Sequence, residues 1–224
     1  GSGNIPSFTA INLGTAPVVA TIIVTPHFTN GGVTCDGPTK SFTITVNPTA
    51  QVNQPANDLV CNGSPTAAVV FGSINTGGTL TYTWTNSLPS IGLAASGNGN
   101  IPSFTAINAG TAPVVATIIV TPHFTNGGVT CDGPTKTFTI TVNPTAQVTQ
   151  PASEVVCNGD NTTTVTFATV NTGGVTTYTW TNSSPSIGLA GSGSGDIPSF
   201  TAINAGTAPV VATIIVTPHF TNGG

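Results

Sequence analysis

Few side chains in this sequence can do acid–base, nucleophilic or metal chemistry: three histidines, two lysines, six carboxylates and four cysteines among 224 residues. His27, His123 and His219 share one local context, Thr-Pro-His-Phe, with no acidic or cysteine neighbour in sequence. An isolated imidazole of that kind reads as a surface or junction residue rather than a metal ligand. Lys40 and Lys136 also share a context; an isopeptide bond to an asparagine would need a buried acid beside the lysine, none is evident, and both read as solvated. Asp36 and Asp132 open Asp-Gly-Pro turns, and Asp58 matches Glu154. No pair of these carboxylates has a spacing suited to joint acid–base work. The chain is expected not to be an enzyme and to hold no catalytic residue, cofactor or metal.

The cysteines Cys35, Cys61, Cys131 and Cys157 lie 26, 70 and 26 residues apart. With no Cys-x-x-Cys pair and no histidine pair nearby, zinc explains them poorly. Disulfides in an exported protein fit better. Asn62-Gly63-Ser64, Asn161-Thr162-Thr163 and Asn182-Ser183-Ser184 match the N-glycosylation acceptor pattern, a short motif that carries little weight by itself. The Gly-rich runs at 97–100 and 191–195 precede no helix pattern, so they lack the dipole a phosphate cradle needs.

Composition narrows the field further. With two lysines, no arginine and a net charge of −4, the chain has no basic surface to neutralise phosphates. Nucleic acid and anionic membranes are thereby excluded as partners. An apolar content of 38% with 4% charge would favour aggregation, but 43 threonines and 20 asparagines supply an uncharged polar exterior. The longest apolar stretch, around Ala112–Val120, is broken by proline and threonine and is about half the length of a membrane span. No membrane insertion is expected in this segment.

An internal repeat organises the chain. Ile5-Pro6-Ser7-Phe8-Thr9-Ala10-Ile11-Asn12 returns at Ile101 and at Ile197, a period of 96 residues. Residues 1–50 and 97–146 differ at 3 positions, whereas 51–96 and 147–192 differ at 16 of 46. The seams fall at Val46-Asn47-Pro48-Thr49 and Val142-Asn143-Pro144-Thr145, where an alternating pattern meets a proline. These seams predict the C-terminal part of one repeat at 1–48, a complete repeat at 49–144, and a following repeat lacking its last strand at 145–224. Half-repeats leave strand edges open, so the chain is expected to be a window on a longer array.

Those repeats must be built from strands. Thr137–Val142 alternates with Phe138, Ile140 and Val142 on one face, and Leu80–Thr85 with Leu80, Tyr82 and Trp84. Residues 51–60, 66–74, 101–107 and 114–124 complete the set, punctuated by Gly-Gly and Asp-Gly-Pro clusters. About seven strands in a 96-residue unit with a tryptophan on the third match an immunoglobulin-like sandwich. Trp84 then reads as core, with a sugar-stacking platform the lesser alternative.

This fold places Cys61 in the turn after the first strand and Cys131 beyond the 114–124 strand, at the opposite end of the sandwich. A ten-residue strand spans about 33 Å, against a Cα limit of about 7 Å for a disulfide. In a head-to-tail array, Cys61 would instead face the cysteine expected just past Gly224, and Cys131 one upstream of Gly1. A bond within one repeat and free thiols are the alternatives that remain open.

The segments Val60-Cys61-Asn62-Gly63, Tyr82-Thr83-Trp84-Thr85-Asn86, Pro89–Ala94, Ile101-Pro102-Ser103-Phe104 and Lys136–Pro144 together resemble the PKD-like repeats of giant surface proteins of Bacteroidota, the gliding-motility adhesins among them. The resemblance covers essentially the whole chain. It implies an all-β, head-to-tail extended rod of tandem Ig-like (PKD-like) β-sandwich modules, export by type IX secretion, and an extracellular place at the cell surface. One departure stands out: Trp84 is followed by Thr85-Asn86-Ser87 rather than an acidic, Gly-rich signature, so no calcium role carries over. The expected function is a stalk or filament for surface attachment and gliding. Its partners would be neighbouring repeats of the same chain, with surface polysaccharide or a substratum beyond them. The alternatives are a carbohydrate-binding array, where repetition gives avidity, and a strand-donating filament subunit.

Overall fold

The computed structural model describes residues 1–222. It is all-β apart from two single 3₁₀ turns at Pro89–Ile91 and Pro185–Ile187. The first segment forms β1 (Val18–Val24), β2 (His27–Asn30), β3 (Val33–Asp36) and β4 (Lys40–Val46), paired antiparallel as β1–β4 and β2–β3. Residues 49–144 carry β5 (Asp58–Cys61), β6 (Thr79–Asn86), β7 (Ser96–Asn98), β8 (Val114–Asn126), β9 (Val129–Asp132) and β10 (Lys136–Asn143). The last segment has β11 (Val175–Asn182), β12 (Ser192–Ser194) and β13 (Ile214–Thr221), in the order β12-β11-β13.

In the middle segment one sheet runs β5-β10-β8-β6-β7, with β9 paired to the far end of β8. β5 joins β10 in parallel, and the other pairs are antiparallel. The alternation read from sequence decides which way each strand faces. Phe138, Ile140 and Val142 on β10 and Ile118, Val120 and Phe124 on β8 are fully buried, while Thr139 and Thr141 on β10 and Ile119, Thr121 and His123 on β8 take the outward positions. Opposite this sheet, 65–71 and 101–105 meet at two isolated bridges, Pro65 with Thr105 and Val69 with Ile101. Strands were expected at 66–74 and 101–107, but no continuous ladder joins them. Side chains intervene, because Asn100 Oδ1 accepts from Phe71 N, Asp58 Oδ2 from Ala67 N and Thr66 Oγ1 from Phe104 N, leaving those main-chain donors satisfied without a strand partner.

The loop expected after the 114–124 strand is itself a hairpin. Gly127 and Gly128, with φ of 60° and 78°, make a two-residue turn of the kind that joins right-twisted strands, and β8 runs on through it into β9. The strand β7 was not expected either. It pairs with β6 because Gly97 leaves room for the Trp84 indole directly above it.

Two cores form, and they share no residue. One lies in the middle segment around Trp84, Ile91, Ile101, Ile118 and Phe138, the other around Phe167, Trp180, Leu189 and Ile197. The chain exposes 13540 Å², whereas a compact protein of 22.2 kDa exposes about 9,400 Å². Surface in that excess belongs to a chain whose segments do not close around a common core.

Candidate functional site

The most elaborate polar constellation lies where one segment meets the next. Asn75 is buried in the turn between residue 71 and β6, and it connects three pieces of chain. Its Oδ1 accepts from Gln51 N at 2.6 Å and Ser73 Oγ at 3.1 Å, while Nδ2 donates to Thr49 O at 3.1 Å and Thr15 O at 3.3 Å. Thr76 N adds a bond to the same Thr15 carbonyl at 2.9 Å. Ninety-six residues on, Asn171 repeats the set with Gln147 N, Thr169 Oγ1, Thr145 O and Thr111 O, and Thr172 N again bonds Thr111 O at 2.9 Å. A buried amide with all its capacity used is a strong positional constraint, since any displacement strands a donor or an acceptor.

A second clamp lies across the same boundary. Asn47, the last residue before the seam proline, donates from Nδ2 to Asn126 O at 3.0 Å, and Asn126 Nδ2 returns a bond to Asn47 Oδ1 at 2.9 Å. Asn126 is the final residue of β8, so the tip of the β8–β9 hairpin is held against the end of the preceding segment. The contact recurs between Asn222 and Asn143 at 3.3 Å. At the second boundary Asn62 Nδ2 also reaches Thr145 Oγ1 at 2.9 Å. The sequence marks Asn47 as part of the seam and Asn75 as a turn residue, and shows neither as a bridge between segments. Asn75 lies just before Thr76-Gly77-Gly78, where an asparagine reads as ordinary turn chemistry.

The cysteines follow from this geometry. Cys61 ends β5 in register with Asn143, so it stands beside the second boundary. Cys131 lies on β9 opposite Phe124, a strand residue rather than the loop residue expected, and half-buried at the other end of β8. Cys35 holds the corresponding place on β3 opposite Phe28, and Cys157 lies beyond any strand in the last segment. None of the four is bonded to another.

The fold gives two of the histidines a partner that their sequence neighbours do not supply. His123 has an acidic partner after all: Nδ1 meets Asp132 Oδ1 at 2.6 Å, and the same contact joins His27 to Asp36 at 2.6 Å. The two are nine residues apart in sequence but directly paired across the β8–β9 hairpin. A two-residue turn at Gly127-Gly128 pairs Asn126 with Val129, and counting back pairs 123 with 132; that was the available signal. Asp36 and Asp132 are therefore more than turn residues. Among the described residues no three histidines, cysteines or carboxylates cluster for a metal. Asp58 and Glu154 each accept a main-chain bond from the residue nine positions on, in keeping with a local structural role.

Trp84 and Trp180 are buried, as the core reading required, and their indole N–H groups find no partner among the described residues. Asn62 and Asn182 are engaged by main-chain or threonine partners rather than turned free to solvent. Comparison with protein-family models and with characterised proteins finds no match to this chain. No helix of the described residues is long and apolar enough to cross a membrane.

Proposed function

We propose that the chain is part of the structural repeat region, a stalk or filament, of a bacterial cell-surface adhesin serving attachment and gliding motility. One observation carries the reading: the hydrogen bonds that Asn75 and Thr76 make to Thr15 recur 96 residues later at Asn171, Thr172 and Thr111. A junction repeated with the same partners fixes the same angle at each step, and a fixed angle turns a row of sandwiches into a rod. The excess surface and the two separate cores support the same picture. The threonine-covered exterior, nearly free of charge, avoids ionic contacts with whatever the rod passes.

In this reading each 96-residue unit is an Ig-like, PKD-like module, exported and displayed outside the cell. Its direct partners are its neighbours in the chain, with polysaccharide or a solid substratum at the adhesive end. Cys61 sits at the boundary toward the following repeat and Cys131 on the hairpin that meets the preceding one, so each is placed to be stapled to a cysteine of the adjacent module. Such a bond would limit extension under shear, contributing about 4–5 kcal/mol by the chain-entropy account.

Small-angle scattering on the 224-residue chain and electron microscopy on longer arrays test the proposal. The expected results are an elongated particle and beads spaced about 35–45 Å apart, one strand length plus a junction. A radius of gyration near about 17 Å, the value for a compact chain of this length, would overturn it.

A further inference from the structure

Outside the junctions, one cluster of reactive side chains is laid out in an order that has chemical meaning. Thr83 Oγ1 lies 2.9 Å from His123 Nε2, and His123 Nδ1 lies 2.6 Å from Asp132 Oδ1. The three come from three adjacent strands, β6, β8 and β9, on the outer face of the sheet. A carboxylate only accepts hydrogen bonds, so Asp132 keeps the proton of the neutral imidazole on Nδ1. Nε2 is then the acceptor and the Thr83 hydroxyl donates to it. A hydroxyl, a base within hydrogen-bond reach and a third group orienting the base make up the arrangement that activates a nucleophile.

The surroundings complete it. Thr83 stands in register between Asn98 on β7 and Thr121 on β8, and all three line a shallow depression with Thr85, Ser96 and Ile119. Asn98 is paired with Thr83 across the β6–β7 ladder, and its side-chain amide carries N–H donors of the kind that stabilise an oxygen developing negative charge. The hydroxyl–imidazole contact recurs between Thr179 and His219 at 3.0 Å, and the imidazole–carboxylate contact between His27 and Asp36. The His123 side chain is largely covered, 21% exposed, whereas its partner Asp132 is 70% exposed.

We propose that Thr83 is an activated nucleophile that takes an acyl group from an activated ester, with His123 as general base, Asp132 as the positioning residue and Asn98 as the donor to the oxyanion. His123 Nε2 removes the Thr83 hydroxyl proton as Oγ1 attacks the acyl carbon. The bond from that carbon to the leaving oxygen or sulfur breaks, and the proton on Nε2 passes to the leaving group. The products are an acyl-threonine ester on the chain and a free alcohol, phenol or thiol. No oxidant, metal or further reactant is needed, and the proposal does not depend on the stalk reading.

The folded 224-residue chain, treated with 4-nitrophenyl acetate and mapped by peptide mass spectrometry, provides the test. Thr85 is the internal control, because it lies two residues along the same strand and face but opposite Ile119. The expected result is acetyl on Thr83 at about a hundredfold the rate of Thr85, in line with general-base catalysis. His123→Gln should bring Thr83 down to the Thr85 level, Asp132→Asn should do so in large part, and Asp132→Glu should keep more than Asn. Acetyl spread evenly over Thr79, Thr81, Thr83 and Thr85, its persistence on Thr83 in the His123→Gln chain, or no acetyl on Thr83 would each overturn the proposal. Should a variant fail to fold, the Thr83-to-Thr85 ratio in the unaltered chain decides alone.

Discussion

Asn75 and Thr15 lie 60 residues apart on opposite sides of the Pro48 seam, yet the amide of one is bonded to the carbonyl of the other. Because the same amide also holds Gln51 N and Thr49 O, the link between segments and the turn of the second segment are one structure. Asn75→Ala should remove all these side-chain bonds and leave the half-buried Gln51 N without its acceptor, while Thr15 O keeps its bond from Thr76 N, at a cost of about 2 kcal/mol. It should also loosen the first junction, seen as a broader distribution of particle lengths in scattering. Asn75→Asp keeps the acceptor but sets a carboxylate against two carbonyls, so denaturant midpoints should fall there too. If both variants leave stability and shape unchanged, the amide is not what fixes the junction.

Gly97 is where β7 passes under Trp84. A Cβ at this position would overlap the indole ring, and Gly193 stands in the same relation to Trp180. Gly97→Ala should therefore push the ring off its site or lift β7 from β6, at a cost of about 2 kcal/mol. Tryptophan emission should shift to longer wavelength as the indole gains water, and the midpoint of chemical unfolding should drop.

What the sequence could and could not convey divides along physical lines. Alternation places Phe138, Ile140 and Val142 inward because a strand has a strict two-residue period, and all three are buried. Trp84 was legible for the same reason. The 66–71 region was not, because whether a donor goes to a neighbouring strand or to Asn100 and Asp58 side chains leaves no mark on periodicity. The bridging role of Asn75 was not legible because its partners across the seam are main-chain groups, which carry no sequence label. His123 and Asp132 could have been paired from the hairpin, had Asn126-Gly127-Gly128 been read as a tight turn instead of part of a loop.

Tyr82 gives the fold an alkaline limit. Burial raises its phenol above the ordinary value of 10.0, because the ionised ring would lose water beside Phe71, whose ring centre is 5.4 Å away. The native state thus holds this proton more tightly than the unfolded chain does. Its contribution is fully present below about pH 10, the unfolded phenol value, and is lost as pH rises through the raised native value. Urea midpoints measured from about pH 9 upward should decline more steeply in the unaltered chain than in Tyr82→Phe. Parallel curves would show that the phenol does not couple to folding.

Cys61 and Cys131 belong to one 96-residue unit but cannot reach each other. Val142 pairs with Val114 at the end of the sheet where Cys61 lies beside Asn143, while Cys131 is opposite Phe124. Ten strand residues separate those two levels, about 33 Å at the usual rise, and a disulfide tolerates about 7 Å between Cα atoms. Cys35 and Cys157 lie in other segments, and neither is bonded within the chain. The monomeric 224-residue chain, unfolded without reductant after oxidative folding, should therefore release four titratable thiols. Arrays extended by a further repeat should lose two thiols for each junction that holds both cysteines, with a linked peptide joining the Cys61 position of one repeat to the Cys131 position of the next. A peptide linking Cys61 to Cys131 of the same repeat would refute both the staple and the register of β5 on β10, because no rearrangement that keeps Asn143 beside Cys61 can bring those two sulfurs together.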